Sequence, residues 1–76
     1  MQEKLLLLRK ETNTTQQELA DLLHISVKTY GYKETGKSEF SMNEMFALSK
    51  YFKKTVEEIF LPRILQNGVK KNFEET

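Results

Sequence analysis

The chain has 76 residues, 38% of them hydrophobic and 30% charged, and its 12 Lys and Arg nearly cancel its 11 Asp and Glu to a formal charge of +1. That length is one small globular domain burying only about 60% of its unfolded surface, too thin a core to close a barrel or a doubly wound sheet around a substrate. Cysteine is absent, which removes disulfides, thiol nucleophiles, zinc–thiolate sites and iron–sulfur clusters together.

Without staples so small a domain must stand on packing, which favours short helices in local contact. The first apolar run, Leu5 to Leu8, is too short for a signal core or a membrane span, and Arg9-Lys10-Glu11 follows at once. A cytoplasmic, non-enzymatic protein is expected. This run predicts helix one over 2–11, with Leu5 and Leu8 on one face. Thr15-Gln16-Gln17-Glu18 then matches the S/T-x-x-E capping box, where the hydroxyl accepts an amide one turn in and the glutamate reaches back. It opens helix two over 16–23, burying Leu19, Ala20 and Leu23. Ser26 is a cap without the glutamate, opening helix three over 27–34 on Tyr30.

Ser41-Met42-Asn43-Glu44 is a second box, with Phe40 and Met45 at the spacing of a hydrophobic staple. It opens helix four over 42–52 on Met45, Phe46, Leu48, Ser49 and Phe52. Thr55-Val56-Glu57-Glu58 is a third, opening helix five over 56–60 on Val56, Ile59 and Phe60. Tyr30, Phe40, Phe46, Tyr51, Phe52 and Phe60 fall at helix-packing intervals and are expected mostly in the core. Pro62 is expected to end helix five. The C-terminal tail, 61–76, carries Ile64, Leu65, Val69 and Phe73 and the turn-forming pair Asn67-Gly68; it is expected to be disordered or to contact a second copy. The fold class is all-α.

Only His24, Ile25 and Ser26 separate helices two and three, and two short helices joined so tightly form a helix-turn-helix. The arrangement needs a small residue where the helices meet, supplied by Ala20. It needs apolar residues in the angle between them, supplied by Leu19, Leu23, Ile25 and Tyr30. The turn needs a positive φ, which His24 tolerates better than most residues. Lys33 breaks the pattern, standing where a buried apolar residue is expected.

In this order and spacing Leu8-Arg9-Lys10-Glu11, Thr15-Gln16-Gln17-Glu18-Leu19-Ala20, Ile25-Ser26, Thr29-Tyr30, Glu34-Thr35-Gly36-Lys37, Ser41 and Thr55-Val56-Glu57-Glu58-Ile59-Phe60 resemble the XRE-type helix-turn-helix domain of phage repressors and bacterial regulators. The resemblance spans about residues 5–60 and implies a compact five-helix repressor-like domain. It implies that Gln16 contacts a DNA phosphate and braces a residue of the reading helix. It implies that Val27, Lys28, Thr29 and Tyr32 face the groove, and that Lys37 and Ser38 grip the backbone. Arg9 and Glu34 match a buried pair tying helix one to the end of helix three. Departures are His24 for a glycine, Lys33 for an apolar residue, Phe40 for a common proline, and Lys53-Lys54 for a glycine–aliphatic step.

The expected partner is double-stranded DNA, with a palindromic operator, a homodimer and a repressor's role. Base reading is assigned to Val27, Lys28, Thr29 and Tyr32: lysine reaches guanine O6 or N7, and valine can meet a thymine methyl. Backbone contact is assigned to Gln16, Gln17, Ser26, Lys33, Lys37 and Ser38. A charge of +1 is low for a polyanion binder, but Lys28, Lys33 and Lys37 gather near helix three. Glu44, Glu57, Glu58, Glu74 and Glu75 are expected toward the far end. His24 is the only histidine, so metal or triad chemistry lacks partners. No cofactor or small-molecule ligand is expected. The competing reading is a protein-interaction module of the same fold, antitoxin-like or regulator-binding.

Overall fold

Helix starts govern this chain more than glycines or prolines do. The computed structural model describes residues 2–64. In them the chain forms α1 (Glu3–Glu11), α2 (Gln16–Leu23), α3 (Val27–Thr35), α4 (Met42–Phe52) and α5 (Val56–Ile64), with no strand. At Thr15 and Ser41 both halves of the capping box are made. At Thr55 the hydroxyl accepts from the Glu58 amide at 3.0 Å, and the Thr55 amide donates to the Glu58 carboxylate at 2.7 Å. Ser26 accepts from the Thr29 amide at 3.0 Å. Each cap supplies an acceptor to amides that have no partner within their own helix.

The turn between α2 and α3 closes as its residues require. His24 sits in the left-handed region, φ 61°, while the Ile25 amide donates to the Ala20 carbonyl at 3.0 Å. Lys53 does the same work after α4, at φ 57°, and the Ser49 hydroxyl donates to the Lys54 carbonyl beyond it. α2 packs chiefly on α3 and also on α4, and α5 packs on α4 and α1.

Leu5, Leu19, Ala20, Tyr30, Phe40, Leu48, Ile59 and Phe60 make the core, with Leu8, Leu23, Ile25, Met45, Phe52 and Val56 against its edge. Phe40, from the loop before α4, is its aromatic link. Its ring lies 5.9 Å from that of Tyr30 and 5.7 Å from that of Phe60, both edge-on, an arrangement favoured beyond area burial.

Three expectations need correcting. α5 does not stop before Pro62 but runs to Ile64: so near a helix end, proline's missing N–H forfeits one bond and need not break the rod. Phe46 and Tyr51 are outside the core, 53% and 44% exposed, because α4 is apolar around more of its circumference than one contact face can cover. α3 also extends one residue further, to Thr35, before Gly36 turns the chain at φ 98°. The expected tail falls largely outside the described residues, as do Leu65, Val69, Phe73, the Asn67-Gly68 turn, and the acids Glu74 and Glu75.

Candidate nucleic-acid interface

α3 presents two unlike faces. Inward, Tyr30 and Glu34 are buried one turn apart, and the Glu34 carboxylate is a hub. Arg9 Nε donates to its Oε2 at 2.9 Å and Nη2 to its Oε1 at 3.2 Å, the two-point geometry that suits guanidinium to carboxylate. Gln16 Nε2 donates at 2.8 Å and the Tyr30 hydroxyl at 3.0 Å. Arg9 Nη1 also reaches the carbonyl of buried Thr14 at 3.3 Å, and the Gln2 amide donates to the Glu34 carbonyl at 2.9 Å.

Burial pushes the Glu34 carboxyl upward, but the donors from Arg9, Gln16 and Tyr30 prevail and hold it below the ordinary carboxylate range. Burial, reinforced by the Glu34 charge, pushes the Tyr30 hydroxyl far up. The expected Arg9–Glu34 pair is thus present and partly buried. Bracing of α3 by Gln16 is present as well. Glu34 uses one Gln16 amide proton and leaves the second to an outside acceptor.

Outward, Gln16, Val27, Lys28, Gly31, Tyr32, Thr35 and Lys37 line one shallow, open depression. Five of the expected contact residues are brought together there by α2, α3 and the loop after it. Val27 and Tyr32 are 39% exposed each, although burial would suit both side chains better. Lys28 Nζ lies 5.9 Å and Lys37 Nζ 5.1 Å from the centre of the Tyr32 ring. Ser38 follows on the same loop, its amide donating to the Tyr32 carbonyl at 3.2 Å.

The remaining expected residues are partly committed within the chain. Gln17 Nε2 donates to Asp21 at 2.9 Å along its own helix. Ser26 spends its one proton on the Thr29 hydroxyl at 2.9 Å, which leaves the Thr29 proton for another acceptor and suits Thr29 as the donor of the two.

Lys33 departs furthest. Its Nζ donates to both oxygens of Glu44, at 2.7 and 2.9 Å. Glu44 Oε1 also accepts from the Ser41 amide that it caps, at 2.8 Å. Lys33 is therefore withdrawn from the expected backbone contacts by a carboxylate across the loop. Glu44 correspondingly lies beside α3 rather than toward the far end of the molecule. Burial raises the Glu44 carboxyl, but Lys33 and the Ser41 amide outweigh it and the net direction is down.

Sequence reasoning missed Gly31, Thr35 and Thr14, and placed Tyr30 in the core without its hydrogen bond to Glu34. The four-residue spacing of Tyr30 from Glu34, and of Gly31 from Thr35, was a usable signal for a shared helix face. Thr35 Oγ1 donates to the Gly31 carbonyl at 2.9 Å. Among the described residues no group of His, Asp and Glu is placed to hold a metal ion, and no helix is long and apolar enough to cross a membrane.

A family model described as helix-turn-helix matches residues 5–59, from α1 into α5. No curated protein and no solved structure matches the chain significantly.

Proposed function

We propose that this chain, which belongs to the XRE-type helix-turn-helix family of DNA-binding regulators, reads double-stranded DNA sequence-specifically with α3 in the major groove. The observation that carries the reading is the gathering of Gln16, Val27, Lys28, Tyr32 and Lys37 around one outward depression. Here Lys28 takes the acceptors of a guanine, Val27 a thymine methyl, and Thr29 donates from its hydroxyl. Gln16, Lys37 and Ser38 hold the backbone.

The chain acts as a homodimeric repressor in the cytoplasm. Two copies put two reading helices about 34 Å apart on a palindromic operator, since one module covers only a half-site. It performs no catalysis and needs no cofactor.

The charge balance accords with this reading. Arg9 and Lys33 are held by Glu34 and Glu44, so the cations turned to the depression are Lys28 and Lys37. Affinity then rests on few phosphate contacts and its salt dependence is shallow for a DNA-binding protein.

Mobility shift on random duplex at low salt, followed by selection from a random pool, tests the proposal. A palindromic consensus is expected. Lys28→Ala then loses about 1–3 kcal/mol of discrimination at one base pair, while Lys37→Ala weakens all sequences and flattens the salt slope by about one. No retained duplex at low salt refutes DNA reading and favours the protein-interaction module.

A further inference from the structure

Tyr32 gathers more of the outward face than a base-reading side chain needs to. Its carbonyl accepts from the amides of Gly36 at 3.1 Å, Lys37 at 2.8 Å and Ser38 at 3.2 Å, which fastens the start of the loop to the end of α3. Lys28, one turn earlier, and Lys37, in that loop, both carry their ammonium groups over its ring, 5.9 and 5.1 Å from the centre. An ammonium within about 6 Å of an aromatic face is attracted by the ring's negative face. Both lysines are otherwise exposed, and a free lysine side chain samples many rotamers that binding would have to freeze.

We infer that Tyr32 is a positioning residue: its ring holds the Lys28 and Lys37 ammonium groups ready for a guanine edge and a neighbouring phosphate, coupling base reading to backbone grip. The inference rests on the DNA reading above. At 5.9 and 5.1 Å from the ring centre neither ammonium is tied up in a conventional hydrogen bond to the ring, and their donors stay available to DNA acceptors. The occupant of the depression is accordingly a duplex edge presenting a base acceptor and a phosphate oxygen together.

The test compares Tyr32→Phe, which keeps the ring, with Tyr32→Leu, which keeps apolar bulk alone, on the selected duplex and on mismatched ones. Tyr32→Phe should bind like the parent. Tyr32→Leu should lose about twofold to fivefold for each lysine released, the Lys28 share at the one base pair it reads and the Lys37 share on every sequence. In a Lys37→Ala background its loss should shrink, because the two residues share one interaction. In the protein without DNA, the ε-methylene protons of both lysines should be shielded by the ring in parent and Phe variant and unshielded in the Leu variant.

A Phe variant as weak as the Leu variant makes the hydroxyl the active group and overturns the inference. So does a Leu loss unchanged in the Lys37→Ala background, or an unshielded pair of lysines in the parent. Shielded lysines in a parent that binds no duplex overturn the DNA reading itself.

Discussion

On one side of α3, Glu34 takes four donors from Arg9, Gln16 and Tyr30, drawn from α1, α2 and α3. On the other, Lys33 reaches across a loop to Glu44 alone. The carboxylate of the first junction is almost sealed, at 3% exposure, while both members of the second stand at 16%. A buried carboxylate must be fully matched, and its loss leaves several groups unpaired at once. A pair at the edge can trade its partner for water. The two junctions bear on the same helix, yet one is a requirement of the fold and the other a convenience.

The sharpest way to break this contrast is Glu34→Ala, which strands Arg9, Gln16 and Tyr30 together. A cost of about 3–5 kcal/mol is expected, enough to unfold most of so small a domain. Urea denaturation checks it, with Glu34→Gln expected to fall between that variant and the parent. A loss below about 1 kcal/mol would reduce the junction to an ordinary surface pair.

Acid should find the same junction. The folded Glu34 carboxyl sits below its ordinary value of 4.5, so its contribution is complete above that value and is lost as pH falls through the lower, folded one. Tyr30 works in the opposite sense. Its hydroxyl is raised from 10.0, so the stability it lends is present below pH 10 and lost as pH rises beyond. Stability should therefore hold level from about pH 5 to 9 and fall on both sides. In Glu34→Gln the acid limb should flatten; an acid limb of undiminished slope in that variant would move the effect to other carboxylates, Glu44 among them.

Replacing Lys33 should do far less. Lys33→Met leaves Glu44 capping α4, loses a pair worth roughly 0–1 kcal/mol, and gains an apolar side chain against the core edge. Thermal melting should stay within about 1 kcal/mol of the parent. Glu44→Ala should cost about 1 kcal/mol more than Lys33→Met, because it also removes half a capping box. Equal costs for the two variants would mean that the cap contributes nothing.

The unequal junctions were also unequally legible. Every helix start but the first was written in residues three apart, where a hydroxyl, joined by a carboxylate everywhere but at Ser26, meets the backbone locally, and these contacts formed. The Arg9–Glu34 pair came through the family resemblance, 25 residues apart in sequence, and no local rule could have paired them. Lys33 with Glu44 was hidden because the loop that joins them sets their distance, and neither periodicity nor capping describes that loop. Five residues of the depression were named one by one, but the gathering of two lysines over Tyr32 depends on the turn at Gly36. α5 outran Pro62 because a proline rule states a cost and not a boundary.

Between the two junctions α3 turns its outward face, and Gly31 lies at its middle. A Cβ there would meet nothing within 4 Å, so the fold itself has no use for the missing side chain. Glycine inside a helix costs roughly 0.5–1 kcal/mol relative to alanine through lost chain entropy. Gly31→Ala should therefore stabilise the free domain by about that amount, with both junctions untouched. The same position floors the outward depression, between Val27, Lys28 and Thr35. If a duplex edge seats there, the added methyl meets it, and affinity for the selected site should fall while melting temperature rises. Opposite movement of the two measurements is the expected result. An alanine variant that is both more stable and equally tight in binding would show that the duplex does not approach α3 at its middle, and would confine reading to Val27, Lys28 and Thr29 at its first turn.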